Sequence, residues 1–461
     1  MNKIFLLSVM LKGIGAVLEI LLQMLITGKS GVSGYGSYST WINAADLMFW
    51  VLFSGIVKCN TFYLSGQGTS IRSFKKKYYF RYALPVLLVA APVLMFTTGQ
   101  AFLAGVVIIA ALEIAVLDNS SALIARGRPA VSLVCEYVLG RLFLLCSVFL
   151  VSRWTAPTLP VLLGLYIAQY TLVLTLFLLS SKRVPRQDIS HEVSLKKWGE
   201  YQKADLMHAM VEQMPVLLQY FFSGAFSAGV VSIVLLVKKL INFISGPTAK
   251  IFLPEFSRLY HAGDKTGIRN CYASIMRIQM LAVAPMAVVL LGYPQVVLGI
   301  LAKELTGYAA LFVGCAVIFL LVATLGPCGG ILQMTGNEKT DNRCRLGALV
   351  LMVAVMLLTR QDAYFVLYGL CAQVASEAIA KYIFVCRWMG KAPTGLVSYI
   401  GWWMVPAMAI AATYIAGVQA SFLWMVVSAA VVFGVGAVRE VMDKENGLIR
   451  RFAKKEENRH E

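Results

Sequence analysis

Apolar residues along this chain come in long runs. They show neither the two-residue alternation of a strand nor the one-sided stripe of a soluble helix. The runs fall at roughly 4–27, 38–58, 80–97, 101–124, 131–152, 159–180, 204–223, 228–250, 273–292, 308–332, 346–359, 363–385, 398–416 and 420–438. Most approach the about 20 residues that cross a hydrocarbon layer as a helix. The pattern predicts an all-α membrane protein of about fourteen transmembrane helices. The longest connection, 181–203, reads as a linker between an N-terminal lobe (1–180, helices one to six) and a C-terminal lobe (204–390, helices seven to twelve). Residues 391–438 then supply two accessory helices and 439–461 a tail. Short echoes tie the lobes together. Phe53-Ser54-Gly55 before Lys58 resembles Ile244-Ser245-Gly246 before Lys250, and Ile124-Ala125-Arg126-Gly127 resembles Met334-Thr335-Gly336, with offsets of 191 and 209. Both echoes keep the chain direction, so they predict a parallel pseudo-repeat of two six-helix lobes.

Composition agrees: 59% of the 461 residues are hydrophobic, 14% are charged, and mean hydropathy is +0.74. One water-soluble core does not need that excess. The net charge of +18 would suggest nucleic acid in a soluble protein, but its placement argues otherwise. With the N-terminus inside, 31 of the 41 Lys and Arg fall in cytoplasmic segments and four (Lys29, Arg153, Lys303, Arg360) on the far side. The positive-inside rule therefore predicts both termini in the cytoplasm, with the basic loops facing anionic lipid and no nucleic-acid partner. The nine cysteines are scattered without a CxxC pair, so no disulfide framework, metal site or cofactor is predicted. Lys12 and Glu19 interrupt the first run, which reads as an uncleaved helix and not a signal peptide.

Charge inside such helices costs roughly 2.5–3.5 kcal/mol per group at mid-membrane, so each one needs a partner or a wet passage. Helical spacing stacks Lys12, Glu19 and Gln23 in helix one, and Asn43, Asp46, Trp50, Ser54 and Lys58 in helix two. It does the same for Asp205, His208, Glu212 and Gln219 in helix seven, and for Lys238, Asn242 and Ser245 in helix eight. These helices open the two lobes, whereas 398–438 carries no charge. A polar interior between two bundles, with lipid-facing helices outside, accounts for both facts. Lys12, Arg141, Lys238 and Arg277 sit deep enough to be candidate cationic contacts for a substrate; Glu377 and Lys381, four residues apart, read as a structural ion pair. Gly246-Pro247 suits a hinge.

Further motifs lie at loop boundaries. They are Gly34-Tyr35-Gly36-Ser37-Tyr38, then Phe252-Leu253-Pro254-Glu255-Phe256-Ser257-Arg258-Leu259-Tyr260, then Gly263-Asp264-Lys265 followed by Arg277 and Pro285, and the run from Gly329 to Glu338. In this order the chain resembles the Wzx-type O-antigen flippases of the multidrug/oligosaccharidyl-lipid/polysaccharide exporter superfamily over nearly its whole length. That resemblance implies two six-helix lobes around a central cavity, opened alternately to either side, in the bacterial cytoplasmic (inner) membrane. It implies a substrate of short oligosaccharide on polyprenyl pyrophosphate, normally undecaprenyl, with a polysaccharide polymerase and a chain-length regulator as possible partners. Cationic side chains suit pyrophosphate oxygens, which points to Lys12, Arg141, Lys238 and Arg277. Proton or cation antiport would supply the drive, with Asp46, His208 and Glu212 as candidate coupling groups.

A multidrug or toxin exporter of the same superfamily is one alternative, and it calls for an acidic cavity; a lipid II flippase is a second, which a cationic cavity does not exclude. An enzyme (a polysaccharide polymerase, glycosyltransferase or acyltransferase) is disfavoured. The chain has four histidines, with only His208 inside a predicted helix, and no large loop on the far side to hold an acceptor.

Overall fold

A computed structural model describes residues 3–54, 84–98, 104–125, 128–181, 209–393, 396–419 and 421–442, together with 57, 69–70, 79, 189–190, 202 and 206–207. Helices account for all fourteen apolar runs, and nine among the described residues are long and apolar enough to cross a membrane. The chain divides into two compact units, Met1–Ser232 and Ile233–Glu461.

The first unit opens with α1 (Lys3–Leu52), a 50-residue helix broken once, at Gly31 (φ 71°, ψ 175°). The gap between the first two apolar runs is thus a single left-handed glycine, a conformation costly to any residue with a Cβ. Next come α2 (Leu84–Thr98), α3 (Ala104–Ala125), α4 (Pro129–Leu133) and α5 (Arg141–Val151), the last two joined by a π-helical stretch at Val134–Gly140. Helix α6 (Leu159–Ser181) follows. A two-residue strand, Thr69–Ser70, pairs in parallel with Ile189–Ser190. Val116, Leu123, Cys135, Val173 and Phe177 form a dry core between α3, the π-helical stretch and α6.

Helix α7 (Met214–His261) passes from the first unit into the second and breaks at Gly224 (φ 83°, ψ −179°), the counterpart of Gly31. Gly246-Pro247, the expected hinge, continues the helix; the bend lies at Gly224 instead. Position 224 has a spare degree of backbone freedom that a proline step within a continuing helix does not require. The second unit contains α8 (Lys265–Ala287) with a π turn at Val288–Gly292, α9 (Pro294–Leu301), α10 (Ala309–Thr324), α11 (Cys328–Met334), α12 (Glu338–Leu358), α13 (Phe365–Met389), α14 (Leu396–Ile415) and α15 (Phe422–Met442). The apolar run at 308–332 is therefore two helices, because Gly326 turns left-handed and Pro327 cannot continue α10.

The motif residues hold helix ends together. Gly263 (φ 71°) ends the turn after α7, and Asp264 caps α8 by accepting the Gly267 amide at 2.7 Å. Phe256 is fully buried with Tyr272, Ile331 and Val385, and Tyr272 donates its hydroxyl hydrogen bond to the Leu325 carbonyl. Large apolar side chains point outward in both units, Leu358 at 85% and Ile415 at 88% exposure among them. Burying such a surface in lipid explains why the helices need no polar outer face.

Candidate functional site

Three polar assemblies interrupt the apolar packing. The first joins the broken helices α1 and α7 just after their glycine kinks. Gly36 lies against the backbone of Ala225 and Gly229, and Gly229 lies against the carbonyl of Val32. A Cβ at position 36 would meet the Gly229 nitrogen at 2.6 Å and collide outright with the Ala225 oxygen. Ser39 and Ser232 complete the contact, their hydroxyls 2.8 Å apart. Gly31 and Gly224, Val32 and Ala225, Gly36 and Gly229, and Ser39 and Ser232 are all separated by the same 193 residues. Each half of the contact is the other half displaced by one repeat, which is the signature of a local two-fold axis. The 191-residue echo in sequence lies two residues off this register.

The second assembly lies inside the first unit. Arg141, the first residue of α5, forms an ion pair with Glu19 of α1, donates to the Gly15 carbonyl at 3.3 Å and lies over the Tyr137 ring, 5.8 Å from its centroid. Gly15 allows this approach, since a Cβ there would press on Tyr137 at 2.9 Å. Asp46, half-buried on α1, comes within hydrogen-bonding reach of Glu113 on α3, whose residue exposure is only 6%. Four tyrosines run beside them, Tyr35 to Tyr38 at 6.5 Å, Tyr38 to Tyr166 at 6.2 Å and Tyr166 to Tyr170 at 5.1 Å between ring centres. Nearby, Ser120 pairs with Ser132 at 2.6 Å and donates to Glu136 at 2.9 Å. Of the predicted stripe of helix two, Asn43 donates to the Ser39 carbonyl of its own helix, and Ser54, just past α1, donates to Gln202, which donates to the Val51 carbonyl at 2.7 Å; Lys58 lies outside the described residues.

The third assembly lies in the second unit. Lys381 Nζ is 2.6 Å from both Asp341 Oδ1 and Glu377 Oε1. Arg345 reaches Glu377 at 3.5 Å and Asp341 at 3.8 Å. Gln333 donates to Asp341 at 2.9 Å and Gln373 to Glu377 at 2.5 Å. Two anions and two cations are thus matched across α11, α12 and α13. The Glu377–Lys381 pair read from sequence is half of this network. Since a buried pair must be fully hydrogen-bonded to offset its desolvation, the network accounts for these charges as structure.

Of the predicted cations, Arg141 lies in the first unit, whereas Lys238, buried on α7, and Arg277, half-buried on α8, lie in the second. The Lys12 side chain and His208 lie outside the described residues. Among the coupling candidates Asp46 joins Glu113, and Glu212 is half-buried in the helical stretch 209–212 that precedes α7. Sequence reasoning singled out Tyr35 and Tyr38 within a motif, but neither Glu113 as Asp46's neighbour nor Tyr166 and Tyr170; the four-residue spacing of the last two was the available signal. Among the described residues no cluster of His, Cys, Asp and Glu could hold a metal ion.

No family model and no curated protein sequence matches the chain. Solved structures do. The lipid II flippase MurJ in an inward closed conformation superposes with a TM-score of 0.67 at 10% identity, covering 94% of this chain and 98% of that one. An inward-facing multidrug resistance MATE family transporter of the MOP superfamily gives a TM-score of 0.60 at 13% identity over 81% of this chain and 94% of that one. A MOP superfamily transporter from Pyrococcus furiosus gives 0.51 at 12% identity, covering 89% and 95%. Identity this low speaks for architecture alone. The chain has the helical fold of the MOP superfamily transporters.

Proposed function

We propose that this protein is a flippase that moves polyprenyl-pyrophosphate-linked oligosaccharide from the cytoplasmic to the outer face of a bacterial inner membrane. The observation that carries this reading is the polar assembly of the first unit, built inside helices whose outer surfaces are apolar. A sugar and a pyrophosphate cannot cross hydrocarbon without such a path. The tyrosine row offers hydroxyls and ring faces together, a combination suited to sugars. Lys12, Arg141, Lys238 and Arg277 are the proposed pyrophosphate contacts. The fold is shared with a lipid II flippase and with multidrug transporters alike, so the choice of a lipid-linked cargo rests on the polar assembly. The Lys/Arg asymmetry supports cytoplasmic termini.

Transport would proceed by alternating access, with the Gly36–Gly229 contact parting as one side opens. A proton is the proposed coupling ion. Two carboxyl groups in hydrogen-bonding reach, Asp46 and Glu113, hold together when one of them carries a proton and repel when both are ionised. Asp46→Asn is expected to leave the protein folded and to abolish the dependence of transport on a pH gradient in proteoliposomes. Undiminished pH-driven transport would remove Asp46 from the coupling role.

The second reading, a multidrug exporter, draws on one observation: Glu19, Asp46, Glu113 and Glu136 give this region an acidic character that suits cationic drugs. Depleting the protein separates the two. The flippase reading expects lipid-linked repeat units to accumulate on the cytoplasmic face. Normal surface glycan with new drug sensitivity would favour the exporter.

A further inference from the structure

Helices α12 and α13 run antiparallel, and a cleft of about 320 Å³ opens between them beside the ion network. From α12 it is lined by Thr340, Arg343, Cys344, Gly347 and Ala348, and from α13 by Ser376, Ala380 and Phe384. The α12 positions repeat at intervals of three and four residues and those of α13 at four, so each set is one helix stripe. The eight-residue span makes the cleft about 12 Å long. Its floor is made of small side chains, and nothing lies within 4 Å of where a Cβ would stand on Gly347. Leu346, Val350, Ile379 and Ile383 are exposed on either side, so the cleft opens onto the surface that faces hydrocarbon.

Charge distinguishes one end of the cleft from the other. Around it, Lys381 and Arg345 are matched by Asp341 and Glu377. The cation that lines the cleft itself is Arg343, which is exposed and has no carboxylate within ion-pairing distance among the described residues. It sits in the second turn of α12, at the end that the Lys/Arg asymmetry assigns to the cytoplasm. A guanidinium at the mouth, with the Thr340 hydroxyl one turn before it, meets a phosphate group at interface depth, while the small-residue floor meets a chain.

We propose that the cleft between α12 and α13 binds an anionic glycerophospholipid of the cytoplasmic leaflet, its phosphate on Arg343 and one acyl chain along Gly347, Ala348 and Ala380. Basic pockets between membrane helices on the cytoplasmic side recognise lipid headgroups by this chemistry. The proposal uses the orientation argued above but makes no use of the transported cargo.

The test is native mass spectrometry of the full chain in detergent, titrated with phosphatidylglycerol, phosphatidylcholine or inorganic phosphate. The wild type is expected to retain phosphatidylglycerol over phosphatidylcholine by about fivefold in the first binding step, the factor given by about 1 kcal/mol per basic residue at an anionic surface. Arg343→Gln should erase that preference, and Gly347→Leu, which puts a side chain into the open space over position 347, should weaken retention of both lipids. Arg360→Gln, at the other end of α12, should change neither. An intact preference in Arg343→Gln, a Gly347→Leu variant that binds like wild type, or inorganic phosphate that competes as well as lipid would each overturn the proposal. Binding in micelles gives the same answer whatever the chain transports, so failure of the flippase reading leaves this result standing.

Discussion

The contact between Gly36 and Gly229 makes a quantitative demand on the protein. Adding a methyl group at position 36 places it on the Ala225 carbonyl and 2.6 Å from the Gly229 nitrogen, both of them backbone atoms that cannot rotate away. The two helix segments must separate to admit it. Overpacking of this kind costs about 1–3 kcal/mol. If the segments part during transport, the cost falls only on the closed arrangement and shifts the equilibrium about 5–150-fold toward the open one. Ser39 and Ser232 provide the readout, because their hydroxyls are 2.8 Å apart and cysteines there fall within reach of a disulfide. In membranes, the Ser39→Cys/Ser232→Cys variant should cross-link rapidly with a mild oxidant, scored by whether the halves stay joined after cleavage at a protease site placed in 191–200. Adding Gly36→Ala should slow cross-linking at least fivefold, and Gly229→Ala should do the same because it occupies the equivalent position. Unchanged cross-linking together with a lowered melting temperature would mean that the segments never part, and the alternating-access role of this contact would be refuted.

The two ion-pair assemblies make contrasting predictions. Arg141→Ala takes the guanidinium away from Glu19, and breaking a buried pair costs up to about 3–5 kcal/mol, less here because both side chains retain about a quarter of their exposure (27% and 28%). Arg141→Ala/Glu19→Gln should recover most of that loss in detergent melting curves; if it stays inactive in glycan export once stable, Arg141 has a role beyond pairing. Lys381→Met should be more damaging, because it leaves Asp341 and Glu377 facing one another without their shared ammonium. Lys381→Met/Asp341→Asn should restore folding yield, and equal yields of the single and double variants would argue against the network as the stabilising element.

Most of the fold could be read from hydropathy because the lipid constraint is local. A helix that must satisfy its own backbone in hydrocarbon declares itself within about 20 residues. The fourteen runs therefore reappear, and the gaps at 28–37 and 224–227 fall where Gly31 and Gly224 turn. Errors arose where hydropathy carries no geometric information. The run at 308–332 is unbroken in apolar character, yet Gly326 and Pro327 divide it. Pro92, Pro285 and Pro406 lie inside helices, and the breaks within α1 and α7 fall at Gly31 and Gly224, both with positive φ.

The site was less legible for a reason of distance along the chain. Stripes such as Asn43–Asp46–Trp50–Ser54 follow from helical period, and Ser54 is buried against Gln202. What a stripe meets is decided by helices far away in sequence: Glu19 pairs with Arg141 122 residues on, and Ser39 meets Ser232 at 193. Period fixes which residues share a face but is silent on the facing charge. Glu377–Lys381 looked complete from its four-residue spacing, although Asp341 and Arg345 hold the other half of the network. The same logic separates the cations by chemistry. The Lys381 ammonium is shared between two carboxylates inside the fold, whereas Arg343, two residues from Arg345 and turned to the opposite face of the same helix, keeps its charge for something outside the fold. Neighbouring residues of one type thus take opposite roles, and only the face on which each lies tells them apart.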